Sequence, residues 1–398
     1  MLLFSVIGVG LPIASAGRDQ KPDEIVQLAV DIIDTRYLYA RSNPAWERVK
    51  AGLLKTKLTD SAQAYRALAH ELGMLGDSEL NVVSASQLAE LQKDSTGERV
   101  GIGLADFSID HDPSGAARIV TPIFGTPAAE AGVSSGDILE TVNGKDTRKM
   151  LHEEVVDELH RRQPSGTRLI LRRGKIRLRI VIQPSEAKLN PVHAEIKTSG
   201  GKKLGYIRVV EFTPDAGAQV RQAVTRFEGE FVVAYILDLR NNPGGFLNSA
   251  GTAASAFITG TLGFSVHQDG KPEARETAEP ILTKRPVIVL INHGTASAAE
   301  VLTAALQHNG RATVVGMTSY GRGQAQTYYP LTDGYGIIVP SALLQTPAGK
   351  GFKGTGLVPD VEVAQDPLTL RTVTTEQDAM FVRALKLLDR ATAPGPAQ

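Results

Sequence analysis

The sequence predicts a multidomain chain of α+β and α/β character, with a helical N-terminal region, a β-rich module and an α/β core built on a buried sheet. Three changes of texture predict it: helical apolar stripes from residue 22, short strands punctuated by glycine from 98, and continuous apolar strands alternating with helices from 193. A length of 398 residues exceeds what one small core needs.

The region 22–95 reads as helical. "PDEIVQLAVDIIDTRYLY" places Ile25, Leu28, Ala29, Ile32 and Ile33 on one stripe, and "AQAYRALAHELGML" and "ASQLAELQ" repeat the habit. Trp46, the sole tryptophan, is expected to pack among these helices. Over 98–183 the chain turns to strands, a helix at "HEEVVDELHRR" and an alternating hairpin, "LILRRGKIRLRIVI", with Gly174 near its turn. "SEAKLNP" at 185–191 reads as a linker. Within 193–368, "FVVAYILDLR" and "RPVIVLIN" are runs of the kind buried on both faces of a parallel sheet. Helices are expected over "AGAQVRQAVTRFE" and from Ser297 to His308, with a last one at 374–391 and a frayed tail after it.

Composition removes several classes of function. Lys and Arg number 43 and Asp and Glu 43, so no net charge favours nucleic acid, and the one arginine-rich stretch alternates as a hairpin does. Absence of cysteine excludes disulfides, thiolate metal sites and a cysteine nucleophile. The eight histidines form no "HExxH" spacing, and no dinucleotide or phosphate loop occurs, so neither metal nor cofactor is expected. Residues 1–17, "MLLFSVIGVGLPIASAG", carry an apolar run too short to span a bilayer before a small-residue "ASA"; they read as a signal segment for export, against the rivals of a buried segment or an uncleaved anchor.

Chemistry concentrates in the third region. "DLRNNPGG" at 238–245 follows a buried strand, where open α/β sheets place ligands, and Gly244 and Gly245 let a backbone amide face a substrate as an oxyanion donor. Ser297 follows "RPVIVLIN" through a tight turn and opens a helix, with the Ala298 amide as a second donor. Glu300 stands three residues on. Alone, this is equally the pattern of a capping box in which Ser297 only holds a helix end.

Two longer resemblances bear on that choice. "GIGL" at 101–104 with "GTPAAEAGVSSGDILETVNG" and the hairpin resembles a PDZ domain. The resemblance implies capture of an extended C-terminal peptide as an added strand, its carboxylate held by backbone N–H groups around Gly101, Ile102, Gly103 and Leu104. Glycine at 101 and 103 permits that close approach, and Ile102 and Leu104 would favour uncharged terminal residues. "ASAAE", "DLRNNPGG", "YGRGQAQ" and "GTGLVPD" together resemble the C-terminal processing, or tail-specific, serine proteases of peptidase family S41. The order of parts matches that family from about residue 70 onward.

The resemblance implies Ser297 as nucleophile, a lysine base in a "GKGxxQ" segment, and Gln326 orienting that base. This chain has Arg322 at the lysine position. A buried lysine can shed its proton, whereas a guanidinium stays protonated. Retained in place, Arg322 would donate hydrogen bonds to Ser297 Oγ, Gln326 or a substrate carbonyl. His293 and the loop lysines Lys350 and Lys353 are the alternative acceptors; His308 lies ~16 Å down the helix, out of range. Two functions follow. One is an exported serine endopeptidase of the periplasm, thylakoid lumen or extracellular space, acting on unstructured C-terminal tails and at most peripherally membrane-associated. The other is a catalytically weak or inactive peptide-binding protein.

Overall fold

A computed structural model of the chain describes residues 6–9, 21–77, 79–85, 87–88, 98–108, 114–150, 152–161, 163–188, 190–364 and 372–392. The apolar stripe of the N-terminal region forms α1 (Pro22–Arg36), α2 (Trp46–Lys55) and α3 (Ser61–Gly73). Ile25, Ile32, Ile33, Leu68 and Leu72 are buried there with Trp46, whose indole N–H donates to Asp34 at 2.6 Å. The expected helix at "ASQLAELQ" falls largely outside the described residues. Two short strands flank these helices, β1 (Val6–Val9) and β2 (Asn81–Val83), so the region is not helical throughout. Most of the expected signal segment lies outside the described residues; its Val6–Val9 pairs with a strand of the core.

The next module pairs β3 (Glu98–Gly101) with β10 (Ser185–Lys188), and between them builds a second sheet from β4 (Leu104–Ser108), β5 (Ala117–Pro122), β6 (Ile138–Val142), β7 (Lys145–Asp146), β8 (Thr167–Arg173) and β9 (Ile176–Ile182). Helices α4 (Pro127–Glu130) and α5 (His152–His160) cover it. The stretch read as a linker is therefore partly a strand: Ser185 to Lys188 run antiparallel to Gly101 to Glu98 and clasp the entry of the module to its exit. Backbone pairing won over a composition that reads as loop.

The core is a six-stranded sheet in the order β11 (Val192–Ser199), β12 (Lys202–Val209), β13 (Ala234–Asp238), β16 (Val287–Ile291), β17 (Ala312–Gly316) and β20 (Val361–Glu362), parallel from β12 onward. Every residue of β13 and β16 is buried. Helices α6 (Ala216–Gly229), α7 (Leu247–Ser255) and α8 (Ala298–His308) contribute to the apolar cluster on one face, and α9 (Ala379–Ala391) to that on the other. A further sheet holds β14 (Thr261–Val266), β15 (Pro272–Glu276), β18 (Gln324–Pro330) and β19 (Gly336–Gln345), with β1 and β2 at its edges. The N-terminal helices pack on this sheet through Tyr329, Leu331, Ile337 and Val339.

At the end of β13 a charge cluster is fully enclosed. Arg240 donates to Asp238 and, through both terminal nitrogens, to Asp378 at 2.6 and 2.8 Å; Arg208, opposite Asp238 on β12, donates to Asp238 at 2.8 Å, and Tyr206 does so at 2.7 Å. Burial alone would raise the Asp238 carboxyl pKa, but the Arg208 and Arg240 charges hold it well below the carboxylate range. Asp378 also caps α9 by accepting the Phe381 N–H. Removing Asp378 leaves two buried guanidinium groups sharing the single carboxylate of Asp238. Asp378→Ala is expected to lower unfolding free energy by about 3–5 kcal/mol in urea titrations; a loss below about 1 kcal/mol would mean that Arg240 finds water or another anion.

Candidate active site

Ser297 closes the turn between β16 and α8 with φ 55° and ψ −118°, a backbone conformation disfavoured for any residue but glycine. Surrounding bonds impose it. The Ala296 N–H donates to Asn242 O at 2.9 Å, Thr295 Oγ donates to Leu239 O at 2.8 Å, and the Ser297 N–H donates to Glu300 Oε2 at 2.7 Å. Ser297 is 1% exposed, and its Oγ has no hydrogen-bond partner among the described residues. The capping-box alternative is thus only half made: Glu300 caps the Ser297 amide, while the hydroxyl caps nothing. A buried hydroxyl without a protein partner is uncommon.

The turn after β13 supplies the facing wall. Asn241 (φ 56°) and Asn292 bond reciprocally, N–H to Oδ1 at 2.8 Å and Nδ2 to Oδ1 at 2.7 Å, and Asn242 Nδ2 donates to Val209 O at 2.9 Å. The two glycines divide the work expected of them. Gly244 (φ 104°) is the close-approach residue, since a Cβ there would lie 2.7 Å from Ser297 Cβ and 3.0 Å from the Ala298 nitrogen. Its N–H is not available to an oxyanion, because it donates to Asn242 Oδ1 at 2.8 Å. Gly245 (φ 121°) has no room for a Cβ against Phe212 O, and its N–H meets no acceptor among the described residues. Ala298 is the first residue of α8, so its amide has no acceptor within the helix.

Glu300 joins this turn to the 319–322 segment. It has no exposure and accepts four hydrogen bonds: from Ser297 N–H, Ser319 Oγ–H at 2.5 Å, Gly321 N–H at 2.7 Å and Arg322 N–H at 2.9 Å. Burial pushes its carboxyl pKa up to about 7 against the lowering effect of those donors. Ser319 Oγ in turn accepts the Leu357 N–H at 2.7 Å, which draws "GTGLVPD" into the same frame. Gln326, on β18, is 5% exposed and its Oε1 has no partner among the described residues.

The Arg322 side chain departs from one expectation. It supplies no hydrogen bond to Ser297 Oγ or to Gln326 Oε1, both of which are unpartnered. Its Nε lies 3.9 Å from Glu79 Oε1 and its guanidinium 5.6 Å from the centre of the Tyr320 ring. Glu79 also accepts from Gln324 Nε2 at 2.6 Å, and Gln324 Oε1 accepts from Tyr39 and Lys353. Lys353 is thus tied to the neighbourhood through Gln324, whereas Lys350 is exposed. His293 is exposed and turns Nδ1 to Thr318 O at 2.7 Å. Sequence reasoning missed Glu79, Ser319, Asn242 and Asn292; Glu79, Ser319 and Asn292 act on partners distant along the chain, and Asn242 acts on Gly244 through the fold of its own turn.

In the β-rich module, Gly101 (φ 131°) and Gly103 (φ 81°) stand at positive φ. A Cβ on Gly103 would meet Thr126 at 2.2 Å. The Ile102 and Gly103 carbonyls accept from Ala128 and Ile123 N–H at 2.8 and 2.9 Å. Ile102 and Leu104 are buried in the module's own core rather than displayed to a ligand.

Comparison with known proteins agrees with this arrangement. Residues 203–363 match peptidase family S41 and residues 88–165 match the PDZ domain. The chain is 31% identical over 353 residues to a carboxyl-terminal-processing protease of Picosynechococcus sp., covering 87% of this chain and 84% of the relative. It is 32% identical to the protein of the same name in Synechocystis sp., covering 87% and 82%. Among solved structures, a photosystem II D1 C-terminal processing protease superposes with a TM-score of 0.77 at 27% identity, over 91% of this chain and 100% of that one. The chain therefore belongs to peptidase family S41, as a PDZ-containing carboxyl-terminal-processing serine protease.

Proposed function

We propose that the chain is an exported endopeptidase that takes the unstructured C-terminal tail of a protein substrate through its PDZ domain and cleaves near that end with Ser297. The observation that carries this reading is the buried, unpartnered Ser297 Oγ at a strained φ, with Gly244 closed against it. Attack by Oγ on a carbonyl carbon would give a tetrahedral oxyanion, for which the Ala298 and Gly245 amides are the donors. The serine proton must leave as the bond forms. Arg322 cannot take it, so the natural chain works slowly, with water or an adjoining group accepting the proton. Export rests on the apolar segment at residues 1–17, and relatives of this chain include proteins named as chloroplastic.

A second reading, a peptide-binding protein with little or no turnover, is favoured by the Arg322 guanidinium lying toward Glu79. Arg322→Lys separates the two. If only the base is missing, kcat/KM for peptide hydrolysis rises about ten- to ten-thousandfold with peptide affinity nearly unchanged, and Ser297→Ala abolishes the gain. An unchanged rate in Arg322→Lys would favour the binding protein, or, if the natural chain already cleaves well through Ser297, another base.

Tail recognition has its own test. Amidation of a peptide's C-terminus is expected to weaken its binding to the full-length Ser297→Ala chain in fluorescence polarisation, because the PDZ loop holds the carboxylate. Equal affinities would remove the tail from the account.

Glu300 yields a pH prediction. Its folded pKa is raised, so its contribution to stability is complete below the ordinary carboxylate range and is lost as pH rises through about 7. Relative to Glu300→Gln, the natural chain should lose about 2–4 kcal/mol of unfolding free energy between pH 4.5 and pH 8. Parallel stability curves for the two proteins would show that the donors fully offset the burial.

A further inference from the structure

Six Lys or Arg and no Asp or Glu lie between residues 168 and 179, in a chain of zero net charge. They sit on the β8–β9 hairpin, and β9 is the last strand of its sheet among the described residues. The antiparallel register sets Arg168 opposite Val181, Ile170 opposite Arg179 and Arg172 opposite Arg177, which puts these six on one face. Leu169 and Leu171 are buried on the other, with Leu178 and Ile180 packed beside them.

Neutralisation of this face is incomplete. Glu140 takes Arg177 at 2.6 Å and Arg172 at 3.4 Å; Arg173, on the other face, is taken by Asp137 at 2.7 Å. Arg168, Lys175 and Arg179 are exposed and make no ion pair among the described residues. On the same face Val181 is 59% exposed, and at the hairpin tip Ile176, opposite Arg173 and of the other face's parity, is 62% exposed. A solvated cationic face has no use for branched aliphatics, and an apolar protein interface has no use for three unpaired cations. An anionic lipid surface suits both: long-range attraction draws the cations to the headgroups, and a protruding aliphatic enters the interfacial layer.

We propose that the outer face of the β8–β9 hairpin, with its Lys175–Ile176 tip, docks the chain on an anionic membrane surface. The face is fixed by the β-sheet beneath it, so docking needs no folding step. It would hold the PDZ domain at the bilayer, where the emerging tail of a membrane protein can reach it.

The test is co-sedimentation of the full chain with phosphatidylcholine vesicles, with and without phosphatidylglycerol, at low and high salt. Anionic vesicles should bind at least about tenfold more tightly than neutral ones, with binding falling as salt rises. The combined Arg168→Gln, Lys175→Gln and Arg179→Gln variant should lose about tenfold or more, and Ile176→Ser severalfold with the salt dependence retained. Melting curves check that these exposed substitutions leave the fold intact; should the triple variant unfold, Ile176→Ser and the salt series on the natural chain decide. Equal binding to both vesicle types, or binding unchanged in the variants, overturns the proposal and points to the N-terminal apolar segment. Variant-sensitive binding to poly-glutamate or RNA without vesicle binding overturns it in favour of an acidic polymer.

Discussion

The site depends on a carboxylate that water does not reach. Glu300 must satisfy its charge inside the protein, and the donors that do so come from the Ser297 turn and from the 319–322 segment. Each donor is thereby fixed in place. The strained Ser297 backbone, the segment bearing residue 322 and, through Ser319, the "GTGLVPD" loop become one frame. The frame holds residue 322 by its backbone N–H and makes no demand on its side chain. The position of the residue 322 backbone is therefore set by Glu300, while its side chain lies toward Glu79.

The facing wall has its own rigid support. Arg240 is clamped between Asp238 and Asp378, and Arg208 reaches from β12 to Asp238 and to the Arg240 carbonyl. This cluster anchors the start of the turn that ends in Gly244 and Gly245. The PDZ domain touches the same turn: Ser135 Oγ donates to Asn241 Oδ1 at 3.1 Å, and the Arg208 guanidinium lies 3.7 Å from the centre of the Phe124 ring. The PDZ domain thus contacts both the turn after β13 and the charge cluster beneath it.

Much of this was legible in sequence because the signals are local. Apolar periodicity located α1, β13 and β16, and the strand–turn–helix context placed Ser297 at the start of α8. Long-range features were not legible. Nothing near Asp378 marks it as the partner of Arg240, and the pairing of Ser185–Lys188 with β3 is invisible in a polar stretch. The split between Gly244 and Gly245 was hidden too, since the Asn242 side chain that takes one amide follows from the fold of the turn. Arg322 was readable as a departure, but its direction toward Glu79 required the packing of the N-terminal region on β18 and β19.

The central claim is that Ser297 is an assembled nucleophile from which only the base is missing. The most direct measurement is the rate of covalent labelling by a fluorophosphonate, with the adduct located by mass spectrometry, for the natural chain and for Arg322→Lys across a range of pH. The account predicts an adduct on Ser297 in both, slow in the natural chain and faster in Arg322→Lys, with a rate that climbs as the lysine loses its proton. An adduct elsewhere, or a natural chain that labels at Ser297 as fast as Arg322→Lys, would contradict it.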